Sequence, residues 1–280
     1  LQEPTVITSP QNPRVKALVK LRDQRGRRKA DRFIAEGVRE VTRAIGAGLR
    51  VESVWVCESL LSRDQSLTPS AARQEWGLGV DVEVVAVSEQ VFKKIAYVQE
   101  PEGVLAVCEP PAWSIEALPQ ASASTLDLVA VGTEKPGNLG AMVRTADLAG
   151  CRCVIAAGSA VDAMNPNAIR ASTGAVFTMP TVVMSEDQAI DYFIAKKVRV
   201  LAAMVDGSVD HTQASYTGPC AIVIGPEDKG LSERWRIATE KTGGACVRIA
   251  TAGRAADSLN ASVAAGVLLF EAVRQRSIKQ

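Results

Sequence analysis

The sequence predicts an α/β protein of two domains, the second and larger built on a mostly parallel sheet with helices on both faces. The chain has 280 residues, 47% of them hydrophobic, enough to bury two ordinary cores rather than one. In the second half, apolar runs recur at Leu126–Val131, Cys153–Ala157, 198–204, 221–224 and 246–249. Each is followed by a loop and usually a helical pattern, the order that gives parallel strands joined by crossover helices. Between the halves, residues 109–125 open Glu-Pro-Pro-Ala-Trp-Ser and continue through Ala, Ser and Pro119, a linker composition. The expected partition is 1–108, a linker 109–125, and 126–280.

The first domain combines a basic helix over about 13–23, an amphipathic helix over 36–47 with Val38, Val41 and Ile45 on one face, and strand-like runs at 51–56 and 82–87. In the second, Ser185 and Gln188 form a capping box before a helix over 189–196, and Gly150 stands where a glycine would end the helix that begins near Asn138. No internal repeat points to a solenoid.

Composition narrows the function. No run of 18 apolar residues occurs and the sequence opens with polar residues and prolines, so a soluble, cytoplasmic protein without membrane partners is expected. Cysteines stand at 57, 108, 151, 153, 220 and 246 without a CxxC pair, and His211 is the single histidine; no metal site is expected. Net charge is only +1, but its distribution is uneven. From Arg14 to Arg43 there are eleven Lys or Arg against four Asp or Glu, densest at Arg22, Arg25, Arg27, Arg28, Lys29 and Arg32. Such a cluster can release counterions from a phosphate backbone, and these six side chains are the candidate RNA-binding residues. With aromatics at 4%, phosphate contacts and RNA shape rather than base stacking should dominate affinity.

Three polar, glycine-containing segments each follow an expected strand: residues 134–140 with Arg144, residues 225–230, and 249–260. Ligand sites of open α/β sheets form outside the carboxyl ends of strands, so these loops are where a site belongs. Singly, each has a structural explanation as a turn, a tight helix start or an N-cap, Ser258 being one candidate cap for the last helix. No GxGxxG follows a strand, which argues against a dinucleotide-dependent enzyme.

Taken together and in order, the segments resemble the SpoU, or TrmH-like, branch of the SPOUT methyltransferases. Asn138-Leu139-Gly140-Ala141 through Arg144-Thr145-Ala146 is similar to the family's first motif, residues 222–232 (Ile-Val-Ile-Gly-Pro-Glu-Asp-Lys-Gly-Leu-Ser) to its second, and Ser258-Leu259-Asn260-Ala261-Ser262-Val263-Ala264 to its third. Ala250 stands where the third motif commonly has Pro, and the loop 250–257 is about one residue longer than usual. The resemblance implies S-adenosylmethionine-dependent methylation of a ribose 2'-hydroxyl, with Asn138, Arg144, Glu227, Ser258 and Asn260 in the active site. It implies a cofactor cradle from the loops that hold Ala203, Ile224, Gly225, Gly230, Ile249, Ser258 and Leu259. It further implies a trefoil knot in the C-terminal SPOUT domain, a homodimer, and an N-terminal ribosomal-protein-like (L30e-like) substrate-binding domain. Ribosomal RNA, most closely 23S as in the avilamycin-resistance enzymes that protect ribosomes from an antibiotic, is favoured over tRNA as substrate. A non-catalytic RNA-binding protein of the same fold is the alternative from another class.

Overall fold

The structure is a computed structural model that describes residues 6–61, 68–159, 161–206, 209–253 and 258–278. The chain runs α1 (Pro13–Lys20), α2 (Gln24–Ala30), β1 (Phe33–Glu36), α3 (Val38–Gly46), β2 (Val51–Val56), α4 (Pro69–Glu75), β3 (Glu83–Ala86), α5 (Glu89–Ile95) and β4 (Val104–Cys108). It continues through β5 (Leu126–Val131), α6 (Pro136–Leu148), β6 (Cys153–Ala157), α7 (Pro166–Ala171), β7 (Thr181–Met184) and α8 (Glu186–Lys196). The last elements are β8 (Arg199–Ala203), β9 (Val209–Asp210), β10 (Cys220–Ile224), α9 (Glu233–Thr242), β11 (Ala245–Arg248) and α10 (Ala261–Ser277). Two compact units result: Leu1–Ala112 with Met164–Thr178, and Trp113–Ala163 with Met179–Gln280.

The first unit holds a mixed sheet in the order β1-β4-β2-β3. Strands β1 and β4, which the hydrophobic pattern did not single out, are short and buried almost throughout, so they lack the apolar-polar alternation that marks a half-exposed strand. Val15, Leu18, Trp55, Val91, Phe92, Ile95 and Leu105 pack together in the core. The segment Met164–Thr178 comes from the later part of the chain yet groups with this unit. Phe177 packs on Phe33 with ring centroids 5.5 Å apart, and Arg43 donates to the Thr173 carbonyl and, at 2.9 Å, to its hydroxyl.

The candidate RNA-binding run divides in this unit. Arg27 is corrected to a structural residue: it is 4% exposed and donates to the carbonyls of Leu21 and Arg22 at 2.8 and 2.6 Å, so it bridges α1 to α2 rather than facing solvent. Arg22 turns onto the carbonyls of Lys94 and Ala96. Arg32 pairs with Glu52 at 2.6 Å and Glu109 at 2.9 Å, which leaves little of its charge for a phosphate. Arg25, Arg28 and Lys29 remain exposed on α2 and its last turn. A charge run in sequence cannot distinguish these cases, because α2 is a separate helix whose faces point in different directions.

The second unit is an all-parallel sheet in the order β7-β6-β5-β10-β8-β11-β9. Strands β5, β6 and β10 are buried along their whole length, which is why they read as apolar runs in the sequence, broken only by Asp127 in β5. Val129, Ile155, Phe193, Val200, Val223 and Trp235 lie in the core. The capping box forms as expected, with the Ser185 hydroxyl accepting from the Gln188 amide and the Gln188 side chain accepting from the Ser185 amide. Gly150 follows α6 with φ of 69°, a backbone state open to glycine without strain.

Strand order does the most to make a site. After β5, β6 and β7 extend one side, β8 and β9 are laid on the other, and β10 then inserts between β5 and β8 while β11 inserts between β8 and β9. The carboxyl ends of β10, β8 and β11 are thereby adjacent although they are distant in sequence. His211 is partly buried just after β9, its Nδ1 3.4 Å from Asp210. All six cysteines are buried and unbridged, and burial pushes the Cys108 thiol up to about 12. Among the described residues no helix is long and apolar enough to cross a membrane, and no cluster of three or more His, Cys, Asp or Glu could hold a metal ion.

Candidate active site and cofactor pocket

The loops after β8, β10 and β11 enclose one cavity of about 920 Å³. Ala203, Ile224, Gly225, Gly230, Ile249, Ser258 and Leu259 all line it. Ile224, Ile249 and Leu259 give it apolar surface, and the turn 225–231 gives it backbone donors and acceptors. That turn folds tightly on itself: a Cβ on Gly225 would lie 2.7 Å from the Gly230 carbonyl carbon and 2.8 Å from the Leu231 nitrogen, while Gly230 has φ of 65°. A Gly225→Ala variant must open this turn. Its expected effect is cofactor affinity about tenfold weaker by calorimetry, with the melting temperature little changed because the turn is at the surface.

At the edge of the cavity stands a polar cluster centred on Glu227. Its Oε1 accepts from Asn138 Nδ2 at 3.2 Å, from the Ala261 amide at 3.3 Å and from Asn260 Nδ2. Its Oε2 pairs with Lys135 Nζ at 2.9 Å. Asn260 Nδ2 also reaches Asn138 Oδ1 at 3.3 Å. The hydrogen bond from Lys135, joined by the amide of Ala261, holds the Glu227 carboxyl below its ordinary range. The same contact raises the Lys135 ammonium.

Local structure explains each residue type. Asn260, not Ser258, caps α10: its Oδ1 accepts from the Ser262 amide at 3.0 Å and the Ser262 hydroxyl at 2.6 Å. Its amide nitrogen is then free to donate to Glu227, a pair of tasks that the donor-free carboxylate of an Asp could not perform. Asn138 sits in the first turn of α6, where Pro136 starts the helix with φ already set. Glu227 is carried by the tight turn after β10.

Of the five residues expected to be catalytic, the fold brings Asn138, Glu227 and Asn260 into contact and puts Ser258 on the wall of the cavity. Arg144 is not in this network. It lies six residues along α6 from Asn138, a rise of about 9 Å, is exposed, and has no hydrogen-bond or ion-pair partner among the described residues. The cation that Glu227 meets is Lys135. Lys135 is the site residue that sequence reasoning missed. Its contact spans 92 positions of chain, and only the Glu134-Lys135-Pro136 start of the first segment hinted at a cation here.

Comparison with known proteins fits this geometry. The profile of the SpoU rRNA Methylase family matches residues 125–270, and that of the MRM3-like substrate binding domain matches residues 12–106. A 23S rRNA (uridine(2479)-2'-O)-methyltransferase of Streptomyces viridochromogenes is 33% identical over 257 residues, covering 89% of this chain and 85% of its own. A crystal structure of an RNA 2'-O ribose methyltransferase superimposes with a TM-score of 0.83 at 38% identity, over 98% of this chain and 100% of that one. The SpoU methyltransferase AviRb from Streptomyces viridochromogenes, solved with AdoMet, gives 0.82 at 28% identity over 95% and 99%. With the matched profile spanning more than half of its residues and three motif loops meeting at one cavity, this chain belongs to the SpoU rRNA methylase family.

Proposed function

We propose that the protein methylates a ribose 2'-hydroxyl of 23S ribosomal RNA, using S-adenosylmethionine. The convergence of Asn138, Glu227 and Asn260 from three separated segments onto the edge of a cofactor-sized cavity carries this reading. A cavity of about 920 Å³ with Ile224, Ile249 and Leu259 on its walls fits an adenosyl group in size and in polarity. Ala203, Gly225, Gly230 and Ser258 would complete the cradle. When bound there, S-adenosylmethionine supplies an electrophilic methyl group.

The chain's own residues have then to position the ribose, hold charge and take up a proton. Asn138, held by Asn260 and Glu227, is pre-oriented to hydrogen-bond a sugar hydroxyl, and preorganisation of this kind carries much of the rate enhancement in group transfer. Glu227 orients the amides of Asn138 and Asn260, and Lys135 holds its other oxygen. Arg144 supplies a cation for the target phosphate and for charge developing on the ribose oxygen. A guanidinium offers N–H donors and no acceptor, so the proton leaves through a neighbour or water.

The proposal extends to a homodimer and to a knotted second unit. Exposed Leu148 on α6 and Val263 and Phe270 on α10 leave apolar surface on two helices that pack together, and insertion of β10 and β11 between earlier strands fits a threaded chain. Arg25, Arg28 and Lys29 are the part of the basic run left to meet RNA phosphates. Action in the cytoplasm, and protection of ribosomes from an antibiotic, follow as proposals from the similarity to AviRb.

The test is transfer of tritiated methyl to total tRNA, separated ribosomal RNAs and intact subunits, followed by mapping of the modified ribose. Label in 23S RNA at a 2'-oxygen is expected, with Glu227→Gln slowing transfer about 10²-fold. Label in tRNA would overturn the substrate assignment, and absence of cofactor binding would favour a non-catalytic RNA-binding protein.

A further inference from the structure

In the first unit, three polar side chains from separate elements converge on the turn that carries Tyr97. Arg22 donates to the carbonyls of Lys94 and Ala96. The carboxylate of Glu36, at the end of β1, accepts from the amides of Tyr97 at 2.7 Å and Val98 at 3.5 Å. Asn167 on α7 donates to the Tyr97 hydroxyl at 3.0 Å. The Glu36 carboxyl is mostly buried, which lifts it above its ordinary range, while the two amides draw it back down.

The ring held in this way is nevertheless 41% exposed. Arg22 and Glu36 already fix the turn through its backbone, so stability does not call for a surface ring tethered by its hydroxyl. Arg170 lies three residues after Asn167, one turn along α7, and is exposed beside it. Tyr97 and Arg170 both border a crevice floored by Leu21, Ile34, Ile95 and Ile169, whose free volume is only about 10 Å³. A protein partner anchors by inserting side chains into pockets, and this crevice admits none. A flat ligand laid on a fixed ring needs no pocket. The crevice carries two cations, Arg22 and Arg170, against the single carboxylate Glu36, a balance that favours an anion alongside the flat group.

We propose that Tyr97 is a stacking platform for an unpaired nucleobase of the RNA substrate, with Arg170 holding that nucleotide's phosphate. Stacking on aromatic side chains is how proteins take hold of bases splayed from loops and bulges. Immobilising the ring in advance lowers the entropy lost on binding. The site rests on the reading of the protein as an RNA methyltransferase and adds the substrate feature it grips: a single-stranded nucleotide away from the reacting ribose. Arg22, which the sequence placed on the RNA, acts here behind the turn.

The test uses the full chain and transcribed 23S ribosomal RNA in filter binding over a salt series, with cofactor affinity and melting temperature measured alongside. Tyr97→Ala is expected to weaken RNA binding about tenfold with the salt slope unchanged. Tyr97→Phe, which keeps the ring, should stay within about twofold of wild type, the scale of one exposed hydrogen bond. Arg170→Gln should lower the salt slope by about one. Wild-type RNA binding by folded Tyr97→Ala, in a preparation whose wild type binds and methylates this RNA, overturns the platform and leaves the enzyme reading intact. Failure of the wild type itself to bind RNA overturns both.

Discussion

Replacing Arg144 with Ala is expected to lower the single-turnover rate of methyl transfer by about 10²- to 10³-fold, the range seen when one preorganised charge-stabilising group is removed. Cofactor affinity and melting temperature should stay near wild type. The side chain is exposed and bonds to no described residue, and it does not line the cofactor cavity. Its removal thus breaks no packing and leaves no buried group unpaired. What is lost is a cationic group with five N–H donors and no acceptor. Arg144→Lys distinguishes the roles. A charge-only role leaves measurable turnover with a flat response to alkali, whereas a rate that climbs toward the lysine pKa near about 10.4 would show a base at this position. Weaker RNA binding at an unchanged single-turnover rate would remove Arg144 from the chemistry.

Asp127→Ala is expected to destabilise the second unit by about 3–5 kcal/mol, the usual result of stranding one member of a buried ion pair. For a unit of this size that lowers the melting temperature by roughly 6–20 °C. Asp127 on β5 is fully buried, and Arg152 before β6 meets it with two hydrogen bonds, Nε to Oδ1 at 3.0 Å and an Nη to Oδ2 at 2.5 Å. Arg152 also donates to the Pro119 carbonyl at 2.8 Å and the Tyr192 hydroxyl at 3.1 Å, which joins the strand ends to α8 and to the segment before β5. Burial lifts the Asp127 carboxyl above its ordinary range, and the bonds from Arg152 oppose that rise. The pair is thus costly to break even though desolvation offsets much of its attraction. Thermal unfolding followed by circular dichroism reads the effect directly. A shift below about 2 °C, under 1 kcal/mol by the same conversion, would mean the site collapses or hydrates without penalty.

The parallel strands were the most legible part of the protein. Strands buried on both faces are mostly apolar, so β5, despite its single ion-paired Asp127, and β6 could be read from composition to the residue, and β8, β10 and β11 to within one or two. Strands β1 and β4 follow the same rule but are short and lie among helices, and the pattern passed over them. The edge strand β7 exposes Val183 and leaves Met184 only partly covered, so it lacks both the unbroken burial and the regular alternation that a pattern search needs.

The motif loops gave the site's residue types, because Asn, Glu and Gly at such positions answer to chemistry and to backbone geometry. Sequence alone determined a two-part α/β chain, the three loops that would meet, and a concentration of positive charge in the first part. It could not decide which cations face water, since Arg25 and Arg27 are two residues apart but stand on different faces of α2, one exposed and one buried. Nor could it pair Lys135 with Glu227, or set Arg22, Glu36 and Asn167 around Tyr97. Those contacts join residues separated by 61 to 92 positions, and only strand insertion and the return of residues 164–178 to the first unit bring them within hydrogen-bonding reach.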